Sequence, residues 1–148
     1  MNTKRTSDLT GKAIIFEKSL TADDVKQFAG ISGDDHPIHV DEQFARNSGL
    51  SGRIVQGSLL VGLMAGASTK FFRDADTPAL SYGYDKIRFT GQVDLDQHLK
   101  ISYAVVRHDI ADGKTWADVQ IHDADGRLVA VGSHIAKILW NSAAEATT

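Results

Sequence analysis

The sequence predicts an α+β fold in which an antiparallel, curved sheet wraps around one long buried central helix. Three observations predict it. From Ser58 to Ala67 the text "SLLVGLMAGA" carries no charge and contains the small residues Gly62, Ala65, Gly66 and Ala67. A helix apolar on every side belongs inside, and small residues let a sheet approach its axis. After residue 79 the period becomes two: β-branched and aromatic residues alternate with polar ones in four segments. Two Asp-Gly turns, "DIADGK" and "DADGR", lie between the last three of these and are suited to antiparallel hairpins.

The remaining elements follow in chain order. "MNTKRTSDLTGK" is polar and lacks the apolar stretch of a secretory signal, so residues 1–11 are expected to be a flexible leader. "AIIFEKSL" reads as a first strand. Thr21 then stands at a helix N-cap, with Asp24 at capping-box distance, and Val25, Phe28 and Ala29 are expected to face a core. Gly30 or Gly33 ends that helix. In "DEQFARNSG", Asp41 is expected to cap a short helix, Phe44 to bury and Gly49 to stop it. After the central helix come the strands "SYGYDKIRFT", "HLKISYAVVRHD", "TWADVQIHD" and "RLVAVGSHIAKILW". Residues 12–140 therefore form one expected domain, and "NSAAEATT" at 141–148 a flexible tail. A chain of 148 residues buries roughly 70% of its unfolded surface.

Composition narrows the function classes. A formal charge of −3 gives no electrostatic case for nucleic acid or an anionic membrane surface. The absence of cysteine excludes disulfides, thiolate zinc sites and a cysteine nucleophile. No segment reaches the apolar length of a membrane span, and a cytoplasmic protein is expected.

The densest chemistry lies in "SGDDHPIHVD", residues 32–41: three carboxylates and two imidazoles around one of only two prolines. From residues alone, Asp34, Asp35 and Asp41 can be loop and cap residues. His36 and His39 can also be read as metal ligands, but their spacing across a proline is not that of a helical pair, and no second ligand cluster is evident. The longer text "FAGISGDDHPIHVD", followed by "RIVQGSLLVGLMAG", is similar to the MaoC-like dehydratase family of the hot-dog fold. The likeness covers residues 12–140, and the nearest activity is that of the (R)-specific enoyl-CoA hydratases.

That resemblance implies reversible hydration of trans-2-enoyl-CoA to (R)-3-hydroxyacyl-CoA. It places the family's catalytic aspartate on Asp34, its histidine on His39, and the glycine whose N–H holds the thioester carbonyl on Gly57. Gln56 and Ser58 flank that glycine as candidate oxyanion or substrate contacts. This chain departs from the family pattern at Gln56 (a histidine there), His36 (an asparagine), Ala65 (a supporting serine in one subgroup) and the eroded turn "FTGQVDLDQ". The substrate is then an acyl-CoA, no metal or other cofactor is needed, and edge-to-edge pairing makes a homodimer. Alternatives on the same scaffold are an acyl-CoA thioesterase, disfavoured because Ser58–Ser68 carries no carboxylate, and a non-catalytic acyl-binding subunit.

The chemistry is consistent with those residues. Hydration needs hydroxide character at C3 and a proton at C2, and one water between a carboxylate and an imidazole supplies both. Pro37 bends the segment so that Asp34 and His39 can converge. Gly57 opens the buried helix, where unpaired N–H groups meet a developing enolate and an absent side chain lets the carbonyl approach. Arg53, Lys86 and Arg88 are candidates for coenzyme A phosphates. His98, His108, His122 and His134 are expected to be structural or solvent-facing, and Trp116 and Trp140 to be packing residues.

Overall fold

A computed structural model of the protein describes residues 7–139, so Trp140 and the expected tail lie outside the described residues. The chain runs β1 (Ala13–Ser19), α1 (Ala22–Ser32), α2 (Pro37–Val40), α3 (Glu42–Asn47), α4 (Gly57–Asp74), β2 (Ala79–Phe89), β3 (His98–Asp109), β4 (Lys114–His122) and β5 (Leu128–Ile138). The strands form one antiparallel sheet in the order β1-β3-β4-β5-β2.

Local chemistry sets the element ends. Thr21 and Asp24 form the expected capping box: Thr21 N–H donates to the Asp24 carboxylate at 2.9 Å, and Asp24 N–H to the Thr21 hydroxyl at 3.1 Å. Gly33 ends α1 in the left-handed region at φ 81°. The two Asp-Gly turns join β3 to β4 and β4 to β5, as expected.

Alternation along the strands makes the core. Leu99, Ile101, Tyr103 and Val105 of β3 and Ala117, Val119 and Ile121 of β4 are buried, as are Leu60, Leu63, Met64, Ala67, Phe71 and Phe72 of α4. Each such large side chain contributes about 1.5–3 kcal/mol on burial. Gly66 has a specific role, because a Cβ there would lie 3.1 Å from the Phe16 ring of β1. Among the described residues no helix is long and apolar enough to cross a membrane.

Three expectations need correction. Helix α4 is not enclosed on every side: Ser58, Gly62, Ala65 and Thr69 form an exposed stripe, because a sheet on one face of a helix leaves the other face open. In α3 it is Ala45 that is buried, while Phe44 is 42% exposed and meets the His36 ring edge-on. A helix of six residues can turn only one position inward, and the short side chain takes it. Nor do residues 9–11 form a loose leader. Leu9 is in the core, its N–H donates to His108 Nδ1 at 3.1 Å, and Gly11 N–H donates to the Val105 carbonyl at 2.8 Å.

A polar chain crosses the core. The Tyr103 hydroxyl is 2.7 Å from His134 Nδ1, and His134 Nε2 is 2.8 Å from the Ser81 hydroxyl. Burial of His134 lowers its pKa from 6.5 to about 4, so the ring is neutral.

Candidate active site

The segment after α1 is more ordered than a bent loop. His36 adopts an extended conformation before Pro37, as required of a residue preceding proline, and its Nδ1 accepts from Ile38 N–H at 3.3 Å. Pro37 then starts the one-turn helix α2, which carries His39. Asp41 caps α3 by accepting from Phe44 N–H at 3.0 Å. Asp35 is exposed. Of the five polar groups in this stretch, two are caps and one is solvated. Asp34 and His39 remain, and they face each other.

His39 Nδ1 lies 2.7 Å from the Ile54 carbonyl. A carbonyl only accepts, so Nδ1 carries a proton, and in the neutral imidazole Nε2 then presents a lone pair. That lone pair points toward Asp34, with Nε2 3.9 Å from Oδ1. The gap is too long for a direct hydrogen bond and short enough for one water to donate to both atoms. The Asp34 side chain is 43% exposed and that of His39 only 9%. The carboxylate is the more open of the two groups and the imidazole the more enclosed.

Helix α4 begins beside this pair. Leu59 and Leu60 N–H groups both reach the Gln56 carbonyl, at 3.1 and 3.3 Å. The N–H groups of Gly57 and Ser58 have no acceptor among the described residues. They form the positive end of an 18-residue helix. His39, Gly57, Leu60 and Phe89 line one cleft of about 510 Å³ together with the loop that follows Phe89. A second cleft of about 590 Å³ is also lined by His39, together with Lys26, Asp35, Val40 and Arg53.

Several candidate residues sit differently from expectation. Gln56 is fully buried, and its Nε2 donates to the carbonyls of Val25 at 2.9 Å and Asp34 at 3.4 Å. It therefore ties the Asp34 segment to the start of α4 rather than facing a substrate. The space beside Gly57 is not vacant either: a Cβ there would lie 2.7 Å from the Phe89 ring. Ser58 is exposed, and Ala65 belongs to the open stripe of α4. Arg53 is held by Glu42 at 3.0 Å, Arg88 donates to the Ile87 carbonyl, and exposed Lys86 has φ 56°. None of the three lines the cleft shared by His39 and Gly57, although Arg53 lines its neighbour.

The remaining histidines are spread over the sheet. His98 pairs with Glu17 at 3.4 Å, His122 is half-buried, and His108 and His134 are enclosed. Arg107 lies 4.1 Å over the Trp116 ring. Phe89 and Ile54, which shape the site most closely, carry no chemical signal in the sequence, since both act through contacts distant along the chain.

The family model described as "MaoC like domain" matches residues 6–124. The chain belongs to this MaoC-like family. The 3-hydroxybutyryl-CoA dehydratase of Methylorubrum extorquens is 38% identical over 55 residues, which are 37% of this chain and 35% of that protein. The match thus spans about a third of the length of that curated relative. The structure of the (R)-hydratase from A. caviae, involved in PHA biosynthesis, superposes with a TM-score of 0.82 at 22% identity, covering 90% of this chain and 98% of that one. A protein from Archaeoglobus fulgidus gives 0.79 at 27% identity, over 88% of this chain and 78% of that one. The five-stranded curved sheet with α4 against it is the hot-dog fold, shared with the (R)-hydratase. The family is one of hydratases and dehydratases.

Proposed function

We propose that this MaoC-like protein reversibly hydrates trans-2-enoyl-CoA to (R)-3-hydroxyacyl-CoA. The observation that carries this reading is the orientation of His39. With Nδ1 bound to the Ile54 carbonyl, Nε2 and the Asp34 carboxylate become two acceptors 3.9 Å apart for one water.

The steps balance without redox chemistry. Water bound by Asp34 and His39 attacks C3, its oxygen–carbon bond forming as one O–H proton passes to the pair. The π electrons of C2=C3 move toward the thioester carbonyl, and the enolate oxygen gathers negative charge. Gly57 N–H, with that of Ser58 beside it, meets this oxygen at the positive end of α4. C2 then takes a proton back from the pair, and the reverse sequence expels water. No electron leaves or enters, so no redox cofactor is required, and the proposed steps use only the Asp34–His39 pair and the N–H groups at the start of α4.

The relatives described as a 3-hydroxybutyryl-CoA dehydratase and an (R)-hydratase support this choice of substrate class. Hydrolysis finds less support. The only carboxylate on α4 is Asp74 at its far end, where Lys70 binds it at 2.9 Å. The proposal includes a homodimer, because β2 is an edge strand with Leu80 and Tyr82 more than half exposed. Pairing of two β2 edges would satisfy their open backbone groups and cover these side chains. Sedimentation as a monomer at working concentration would count against this assembly.

The test is incubation of crotonyl-CoA with the protein, followed by chiral analysis of the product. The expected product is (R)-3-hydroxybutyryl-CoA. Release of free coenzyme A would indicate hydrolysis instead, and binding without turnover a non-catalytic subunit.

A further inference from the structure

The contact between Gly57 and Phe89 has a functional side. Phe89 ends β2 just after an irregularity between Asp85 and Arg88 and pairs with Ala130 of β5. Its ring occupies the volume that a side chain at position 57 would need, with three ring carbons 2.7–2.9 Å from that Cβ position. The ring is nevertheless 51% exposed and lines the cleft that His39 and Gly57 share. One part of it therefore rests on the first turn of α4 while the rest remains open to whatever enters. The following residue ties the chain to β5, as Thr90 N–H donates to the Val129 carbonyl at 2.9 Å and its hydroxyl to the Leu128 carbonyl at 2.6 Å.

We infer that Phe89 is a specificity-determining wall, which admits acyl thioesters unsubstituted at C2 and rejects those carrying a branch there. The inference deepens the hydratase reading and rests on it for the placement of the substrate. With the carbonyl oxygen at Gly57 N–H and C3 at the water of Asp34 and His39, C2 lies between them. The carbonyl carbon and C2 are then the atoms nearest the aromatic ring. A methyl group on C2 meets the ring, whereas extension beyond C3 runs away from it. One methyl group against a fixed wall discriminates by about tenfold or more.

The experiment is calorimetric binding of butyryl-CoA and isobutyryl-CoA, isomers in which one methyl group moves from the chain end to C2 and neither of which can react by hydration. Wild type, Phe89→Ala and Phe89→Leu are compared, with thermal melts confirming that each variant is folded. Wild type is expected to prefer butyryl-CoA by about tenfold or more. Phe89→Ala is expected to bring the ratio close to one, chiefly by tightening isobutyryl-CoA, with Phe89→Leu in between. An equal preference in wild type and Phe89→Ala overturns the inference, as does an absence of binding by both ligands. Selective binding without hydration of crotonyl-CoA leaves the wall standing and removes the hydratase reading. Hydration with an unchanged binding ratio does the reverse.

Discussion

His39 donates from Nδ1 to the backbone carbonyl of Ile54 at 2.7 Å, and that bond assigns the opposite nitrogen its task. Ile54 lies three residues ahead of Gly57, so the segment leading into α4 orients the imidazole beside the N–H groups of Gly57 and Ser58. Acid–base chemistry and charge stabilisation are thereby held in one frame.

Gln56 strengthens that frame. Gln56→Ala removes the donors to the Val25 and Asp34 carbonyls and leaves both with one partner fewer in a buried setting. Loss of such bonds costs about 1–3 kcal/mol of stability. A fall in kcat with little change in KM is expected as the Asp34 segment loosens. Denaturant unfolding and steady-state kinetics on one preparation check both. Unaltered kcat in a destabilised variant would confine Gln56 to a structural role.

Gly57 and Phe89 should be energetically coupled. Gly57→Ala forces the Phe89 ring to shift, whereas in the double variant with Phe89→Ala the new methyl group finds space. A double-mutant cycle on unfolding free energy is expected to show coupling of about 0.5–3 kcal/mol, with the double variant more stable than the sum predicts. Simple additivity would mean that the ring yields without cost.

His36 departs from the family's asparagine, yet it performs a cap's work through Nδ1. His36→Asn is expected to keep the stability of the wild type, while His36→Ala should lose about 1 kcal/mol. Thermal melts of the two variants, taken side by side, check this.

The buried His134 gives a pH signature. Its folded pKa of about 4 lies below the usual 6.5, so the unfolded chain takes up a proton first as pH falls. Stability from this group is complete above pH 6.5 and is lost progressively down to about pH 4, below which the loss stops growing. At about 1.4 kcal/mol per unit, the full loss is roughly 3 kcal/mol. His134→Gln is expected to be less stable at neutral pH but to show a flatter decline through that window. Parallel slopes for the two proteins would assign the acid sensitivity to other groups.

What could be read from the sequence follows from the range of each interaction. The Thr21–Asp24 box spans three positions, so its whole chemistry is visible in one stretch of text. The same holds for Gly33 and for the Asp41 cap of α3. Asp34 and His39 lie five positions apart around a proline, and a motif of that length could carry the family likeness. Phe89 is different. It reaches Gly57 across 32 positions and through a strand irregularity that alternation does not announce. The inward turn of Gln56 depends on where Val25 falls in three dimensions. Phe44 was misplaced because six helical residues hold too little periodicity to set a phase, and the open stripe of α4 because hydropathy does not say how far a sheet reaches around a helix.

The central claim is that Asp34 and His39 act on a single water, and the rate of crotonyl-CoA hydration tests it most directly. Followed by loss of enoyl-thioester absorbance, Asp34→Asn and His39→Ala should each lower kcat by about 10²–10⁴-fold. The double variant should be little worse than either, since both residues serve one step. Hydration by the two single variants at the wild-type rate, with folding intact, would contradict the account.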